Sequence, residues 1–143
     1  MASYAALLAR YREKHGSLVD DRSLHPSLAL AFSMSIKRSY YSVGTYADKP
    51  GDHGYKRARA FDIRREGWVG RFGFGWLAAK HWGQKLWDDH EALQIDYVIR
   101  GREIISRKKP YWHPLTTGDT SHDWHLHVSG WWDGKRDGRY PPW

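Results

Sequence analysis

The chain has 143 residues, no cysteine and a formal net charge of +7, with nine tryptophans and nine tyrosines. Its length is enough for one domain with a buried core, and the lack of cysteine excludes disulfides and thiolate metal ligands. The positive charge favours anionic partners, such as nucleic acid, acidic lipid headgroups or the anionic polymers of a bacterial cell wall. The basic residues are dispersed and form no nucleic-acid motif, so nucleic acid is not the partner that we expect.

Two helices are predicted before residue 40. Ala5–His15 has apolar residues at helical spacing, and Gly16 is a natural stop. Leu28–Ile36 is an apolar stretch whose length permits a helix or a strand, and we favour a helix. The apolar patch within Met1–Arg10 is interrupted too soon by charged residues for a signal peptide or a membrane span. We therefore expect a protein that is made in the cytoplasm and has no membrane partner.

Two strands are predicted next. Tyr40–Tyr46 alternates aromatic or β-branched residues with small ones, and a Pro-Gly turn sequence follows it. Arg59–Ile63 alternates again, so Ala60 and Asp62 share one face of the strand. A carboxylate on a buried strand needs a partner, which a metal would supply. Alternatively, Asp62 caps a turn or pairs with a nearby arginine.

The following segments predict a loop, a helix and a hairpin. Glu66–Gly75 is rich in glycine and aromatic residues and is interpreted as a loop. Trp76–Leu93 has apolar residues near helical spacing and lacks proline, which predicts a helix packed across a sheet. Ile95–Ile99 and Arg102–Ser106 flank an Arg-Gly pair and predict a tight β-hairpin.

The segment most informative about chemistry is Ser121–Ser129. Read as a strand, it places its polar residues on one face and its apolar residues on the other. The polar face comprises Asp123, His125, His127 and Ser129. Two imidazoles and a carboxylate on a rigid strand suit a divalent metal if a distant segment supplies further ligands. The alternative is that His122, His125 and His127 form a polar surface of an edge strand without a metal.

Together these elements predict an α+β fold, with a small antiparallel sheet and helices packed on it. We expect a single domain over residues 1–143. It comprises an N-terminal helical part over 1–39, a core over 40–129 and an irregular tail over 130–143. A catalytic zinc site needs three protein ligands and an open position for water. His53, Asp62 and one histidine of the last strand would satisfy that count.

At these residues the sequence resembles a known family. Gly51-Asp52-His53 followed by Arg59–Ile63 is similar to the first motif of the D-Ala-D-Ala carboxypeptidase-like zinc metallopeptidases, which have the hedgehog-type peptidase fold. His122–Ser129 resembles their second motif. Gln94–Ser106 is similar to a hairpin pattern of a subgroup found in actinobacterial and phage proteins that act on cell walls. The resemblance covers 40–129.

The resemblance implies a hedgehog-type fold with His53, Asp62 and His127 as zinc ligands. It implies that His125 hydrogen-bonds a developing oxyanion and that an acidic residue before the last ligand is the general base. The nearest acid in this chain is Asp123. The implied activity is hydrolysis of a D-Ala-D-Ala or L-Ala-D-Glu amide bond in the peptide stem of peptidoglycan. The implied setting is a phage-encoded protein that acts at the bacterial wall, in the virion or with lysis proteins.

The chain departs from the family pattern at two places. Trp124 occupies the position at which the family carries its acid, and more residues separate His53 from Asp62 than is usual. These departures motivate one alternative, a catalytically inactive member of the fold that serves as a structural or wall-binding virion module. A second alternative is a metal-dependent nucleotide or nucleic-acid hydrolase, since two histidines and an aspartate also position a metal for phosphoryl chemistry.

Overall fold

A six-stranded antiparallel sheet organises the chain in the computed structural model, which describes residues 2–45, 58–116 and 121–131. The strands are β1 (Tyr40–Gly44), β2 (Ala60–Arg65), β3 (Ile95–Arg100), β4 (Glu103–Ser106), β5 (His113–Pro114) and β6 (Leu126–Gly130). Their order in the sheet is β1-β2-β6-β3-β4-β5. The architecture is therefore α+β with one antiparallel sheet, which confirms the predicted class.

Four α-helices accompany the sheet in the described residues. They are α1 (Tyr4–His15), α2 (Ala29–Ile36), α3 (Gly73–Asp88) and α4 (His90–Leu93). The first two confirm the predicted N-terminal helices. No helix in the described ranges is long and apolar enough to cross a membrane.

The predicted helix after the glycine-rich loop has different bounds in the structure. It begins at Gly73 rather than Trp76, and Asp89, which is not helical, divides it from α4. The prediction of a loop up to Gly75 was therefore wrong for its last three residues. A Cβ at Gly75 would lie 2.5 Å from the Trp68 Cα, so this glycine allows a helix to touch the preceding chain. Gly75 therefore allows close packing of the helix against Trp68 and does not indicate a loop.

The helices cover one face of the sheet. Alternate residues of the central strands, such as Phe61 on β2 and Val128 on β6, are fully buried in one cluster with Leu7 of α1 and Trp82 of α3. Burial of each such side chain stabilises the fold by about 1.5–3 kcal/mol. The opposite face carries a smaller apolar cluster of Tyr97, Ile99 and Ile104. The residues that alternate with the main core therefore point to this second face.

Strand β6 lies in the centre of the sheet, between β2 and β3. Asp62 of β2 is the direct partner of His127, which on its other side faces Ile99 of β3. All five residues of β6 are buried. The predicted hairpin is confirmed as β3 and β4, with Ile99 opposite Ile104.

Candidate metal centre

A carboxylate and an imidazole meet on the second face of the sheet. His127 donates a hydrogen bond from Nδ1 to Asp62 Oδ1 over 2.8 Å. Directly opposite residues on antiparallel strands have Cβ atoms about 4.5–5.5 Å apart, so the register itself brings these side chains together. The exposed fraction of the side chain is 17% for Asp62 and 7% for His127. The pair is thus largely shielded from solvent.

Two more histidines surround this pair. His125 Nε2 lies 3.5 Å from the same oxygen, Asp62 Oδ1. The ring of His122 packs edge-on against His125 and His127, with centroid distances of 5.1 and 5.2 Å. The structure therefore brings Asp62, His125 and His127 together, and their roles as zinc ligands and oxyanion partner stay predictions.

His122 is a member of this cluster that the sequence reasoning missed. A strand period places it on the face opposite to His125 and His127, with the apolar residues. Its i, i+3 spacing to His125 was the available signal, because one turn of a helix brings such residues to the same side. Residues Ser121–Trp124 do form a short 3₁₀ turn.

The prediction of a continuous strand over 121–129 was therefore wrong at its start. Strand β6 begins at Leu126, and Asp123 lies in the 3₁₀ turn. Two donors from elsewhere bind the backbone of that turn. Trp68 Nε1 donates to the Asp123 carbonyl over 2.9 Å, and the Gly101 amide donates to the His122 carbonyl over 2.8 Å. These two bonds pair the carbonyls of His122 and Asp123. If β6 began earlier in the chain, the hydrogen bonds of the sheet would have to pair them instead.

The Asp123 side chain is oriented toward the β3–β4 hairpin. Its Oδ2 lies 3.4 Å from an Arg102 guanidinium nitrogen, while its Oδ1 is buried and has no hydrogen-bond donor among the described residues. A Cβ built on Gly101, in the hairpin turn, would lie 3.5 Å from that Oδ1. Within the described residues, the ion pair of Asp123 is with Arg102 and not with a histidine of the cluster. Its role as general base stays a prediction.

The hairpin beside this turn contains a buried cation. Arg100 is 5% exposed, its guanidinium stacks on Trp76 at 3.8 Å, and it donates to Glu103 Oε2 over 3.0 Å. Lys80 of α3 donates to the same oxygen over 3.2 Å. Burial lowers the pKa of Arg100, and Glu103 offsets part of that effect. The hairpin turn that donates to His122 is thus held by a paired charge and an aromatic stack.

Tyr97 forms the floor beneath His127. It lies on β3, is 3% exposed and stacks on the imidazole with a centroid distance of 5.5 Å and an interplanar angle of 24°. A ring held on one side by stacking and on the other by Asp62 has little rotational freedom. The Nδ1 of His127 is therefore held toward the carboxylate.

The donor set fits zinc chemistry in part. Carboxylate oxygen and imidazole nitrogen are both zinc ligands, and ligand atoms around a tetrahedral zinc lie about 3.3 Å apart for bonds of about 2.0–2.1 Å. The separations of 2.8 and 3.5 Å from Asp62 Oδ1 bracket that spacing. Among the described residues, however, no group of three His, Asp or Glu side chains could hold a metal ion. The third predicted ligand, His53, lies outside the described residues.

Comparisons with protein-family models, curated proteins and solved structures find no match to the chain. The interpretation of the cluster rests on its residues and their geometry.

Proposed function

We propose that the protein is a zinc-dependent peptidase that hydrolyses an amide bond in the peptide stems of peptidoglycan and is encoded by a phage. The observation that carries this proposal is the contact of one carboxylate oxygen, Asp62 Oδ1, with His127 Nδ1 and its approach to His125 Nε2. The motif resemblance of the same residues supports it, and so does the net charge of +7, which suits an anionic wall.

In this proposal Asp62 and His127 hold zinc together with His53. Zinc in such a set supplies an acidified water and a Lewis acid for the substrate carbonyl. The chain supplies the remaining functions. His125, beside Asp62, donates a hydrogen bond to the developing oxyanion, and Tyr97 keeps the ring of His127 in place.

The proton acceptor in this proposal is Asp123. Its Oδ1 is buried and has no hydrogen-bond donor within the described part of the chain, so its lone pairs can accept a proton. Arg102, which is half-exposed, pairs with the other oxygen.

The proposal is tested by metal analysis and by hydrolysis of purified peptidoglycan and of short stem peptides. We expect one zinc per chain and hydrolysis that chelation abolishes and added zinc restores. His127→Ala should lose both zinc and activity, whereas His81→Ala, an exposed position on α3, should keep both. Hydrolysis that persists after complete zinc removal would contradict the metal mechanism.

A second candidate function is that of an inactive member of the same fold, acting as a structural or wall-binding module of a virion. The contact of Asp123 with Arg102 favours it, together with Trp124, which is 48% exposed at the position where an acid is expected. This candidate predicts stoichiometric zinc without turnover. It also predicts that Trp124→Glu, which places an acid at that position, creates peptide hydrolysis in an otherwise inactive protein.

A further inference from the structure

A groove of about 550 Å³ lies among three helical segments. Its floor contains the buried residues Leu7 and Tyr11 of α1 and Trp82 of α3, which belong to the core on the helical face of the sheet. Asp62 and His127 point to the other face. The groove is therefore separate from the candidate metal centre and is not part of the chemistry proposed for it.

Five cationic side chains line this groove. They are Arg10 and Lys14 of α1, Lys37 and Arg38 after α2, and Lys85 of α3. All five are exposed. Because they come from three separate segments, their convergence is a product of the tertiary fold and not of one charged helix face.

The described part of the chain neutralises these cations only in part. Asp88 and Asp89 line the same groove. Even so, within the described ranges none of the five cations forms an ion pair with an acidic side chain. Asp88 instead accepts a hydrogen bond from Gln84 over 2.8 Å. The five cations thus outnumber the two carboxylates of the groove, which leaves a positive potential on its concave surface.

Two of the groups that line the groove, Arg38 and His15, interact with their neighbours in it. The guanidinium of Arg38 lies over Trp82 at 4.9 Å, which orients it at the groove. The pKa of His15 is lowered by desolvation and by the positive charges of Lys14 and Lys37.

We propose that this groove binds a phosphodiester-linked anionic polymer of the bacterial wall, in a single extended strand. Such a polymer carries one negative charge per repeat, which matches cations spread along a groove rather than gathered at a point. Lysine and arginine side chains, which line this groove, suit phosphate. The groove is concave and lies between helices, whereas a protein that reads a duplex inserts an element into the DNA groove. The choice of a wall polymer over other phosphodiesters rests on the proposed function.

The test measures binding of purified poly(glycerol phosphate), poly-glutamate and single-stranded DNA to the full chain over a range of salt concentrations. One variant carries Arg10→Gln, Lys14→Gln and Lys37→Gln. A matched control removes the same charge at exposed positions that do not line the groove, with Arg12→Gln, Arg22→Gln and Lys109→Gln. Arg38 is left in place because it packs on Trp82.

We expect the groove variant to bind poly(glycerol phosphate) at least about tenfold more weakly and with a shallower salt dependence, and the control to lose less than about threefold. Equal losses in the two variants would overturn the proposal, because the effect would then follow net charge alone. Tighter groove-dependent binding of DNA would overturn it in favour of a nucleic-acid partner, and tighter binding of poly-glutamate in favour of a carboxylate polymer.

Zinc content and hydrolysis of a short soluble stem peptide are measured on the same preparations. The groove variant should keep both, since its substitutions lie away from Asp62 and His127. If the chain binds the polymer through the groove but holds no zinc and cleaves no peptide, the proposal of polymer binding is supported and the proposed peptidase function is contradicted. If the chain hydrolyses the peptide but shows no groove-dependent polymer binding, the peptidase function is supported and the proposal of polymer binding in the groove is contradicted.

Discussion

At the scale of single residues, the candidate site depends on how a carboxylate is accommodated on a sheet face. Asp62 is largely shielded, and an ionised group in that position requires partners. His127 supplies one through its Nδ1, and His125 lies close to the same oxygen. The alternation of Ala60 with Asp62 was enough to predict the face. The identity of the partners depended on the pairing of β2 with β6.

One of the two hydrogen bonds that hold the turn carrying Asp123 comes from an indole. Trp68 is 1% exposed and donates to the Asp123 carbonyl. Trp68→Phe should lower the free energy of unfolding by about 1–3 kcal/mol, because a part-buried acceptor loses its donor. Trp124→Phe, at a half-exposed ring, should change it by less than about 0.5 kcal/mol. Urea unfolding monitored by circular dichroism measures both, and equal effects would mean that this bond contributes little.

At the scale of elements, α3 connects the core to the site. Its inner residues Trp82 and Leu86 are buried in the core, while Trp76 near its start supports Arg100 in the hairpin. The start of the helix also bears two strongly exposed aromatic side chains, Phe72 at 78% and Phe74 at 88%. The aromatic content of this region therefore does not all belong to the core, which composition alone could not distinguish.

Gly75 and Gly83 of α3 provide a matched pair of substitutions. Gly75→Ala should lower the free energy of unfolding by about 1–3 kcal/mol, because its Cβ would overlap the backbone of Trp68. Gly83→Ala should be close to neutral. Its Cβ would approach Leu126 and Val98 side chains to 3.4 Å, and the gain in helix propensity of about 1 kcal/mol offsets that crowding. Thermal and urea unfolding of both variants measures which one is less stable. If there were room for a Cβ at Gly75, Gly75→Ala would not be the less stable variant.

The hairpin makes a pH-dependent contribution through Glu103. Burial disfavours its charged form, but the hydrogen bonds and charges of Lys80 and Arg100 outweigh burial, so the pKa is lowered from 4.5. A carboxylate with a lowered folded-state pKa stabilises the fold above its unfolded pKa, and that contribution is lost as the pH falls below about 4.5. The carboxylate is 38% exposed, so the effect should be under about 1 kcal/mol.

Glu103→Gln should therefore be less stable than the unsubstituted chain at about pH 7 and should approach it at about pH 3. Urea unfolding at both pH values measures the difference in the free energy of unfolding, with Glu66→Gln as the control at an exposed position. A difference that stays constant across the range would show that the carboxylate charge is not involved.

At the scale of the whole molecule, the sheet separates two surfaces with different chemistry. One face is covered by helices whose outer side presents the cationic groove, and the other bears Asp62, His127 and Tyr97. Because successive residues of a strand point to opposite faces, β2 and β6 supply the core and the site at once. A substitution in the site can therefore be studied without removing a core side chain.

Zinc should stabilise the folded chain if the proposed centre is correct. A ligand that binds only the folded state at a hundred times its dissociation constant adds about 2.7 kcal/mol, which raises Tm by several degrees. Differential scanning calorimetry with zinc and with chelator should show this shift for the unsubstituted chain and for His81→Ala. His127→Ala should show none. A shift of the same size in His127→Ala would place zinc elsewhere.

Local patterns in the sequence were sufficient to predict many of the helices and strands. Helical spacing in Ala5–His15 and alternation around an Arg-Gly turn depend on neighbours in sequence, and both elements formed where they were predicted. The bounds of α3 were predicted less well, because the glycine at position 75 is explained by its contact with Trp68 and not by its own preference. Propensity alone cannot distinguish a glycine that breaks a helix from one that allows close packing.

The sequence by itself determined the α+β class and the strand face on which Asp62 lies. It also singled out the histidines near the C-terminal end as candidate site residues. Only the tertiary structure decided that β6 begins at Leu126, that His122 joins the cluster and that Asp123 lies beside Arg102. The reason is the origin of the stabilising contacts. The donors that hold the 3₁₀ turn come from Trp68 and Gly101, which are distant in sequence, and no local period contains them.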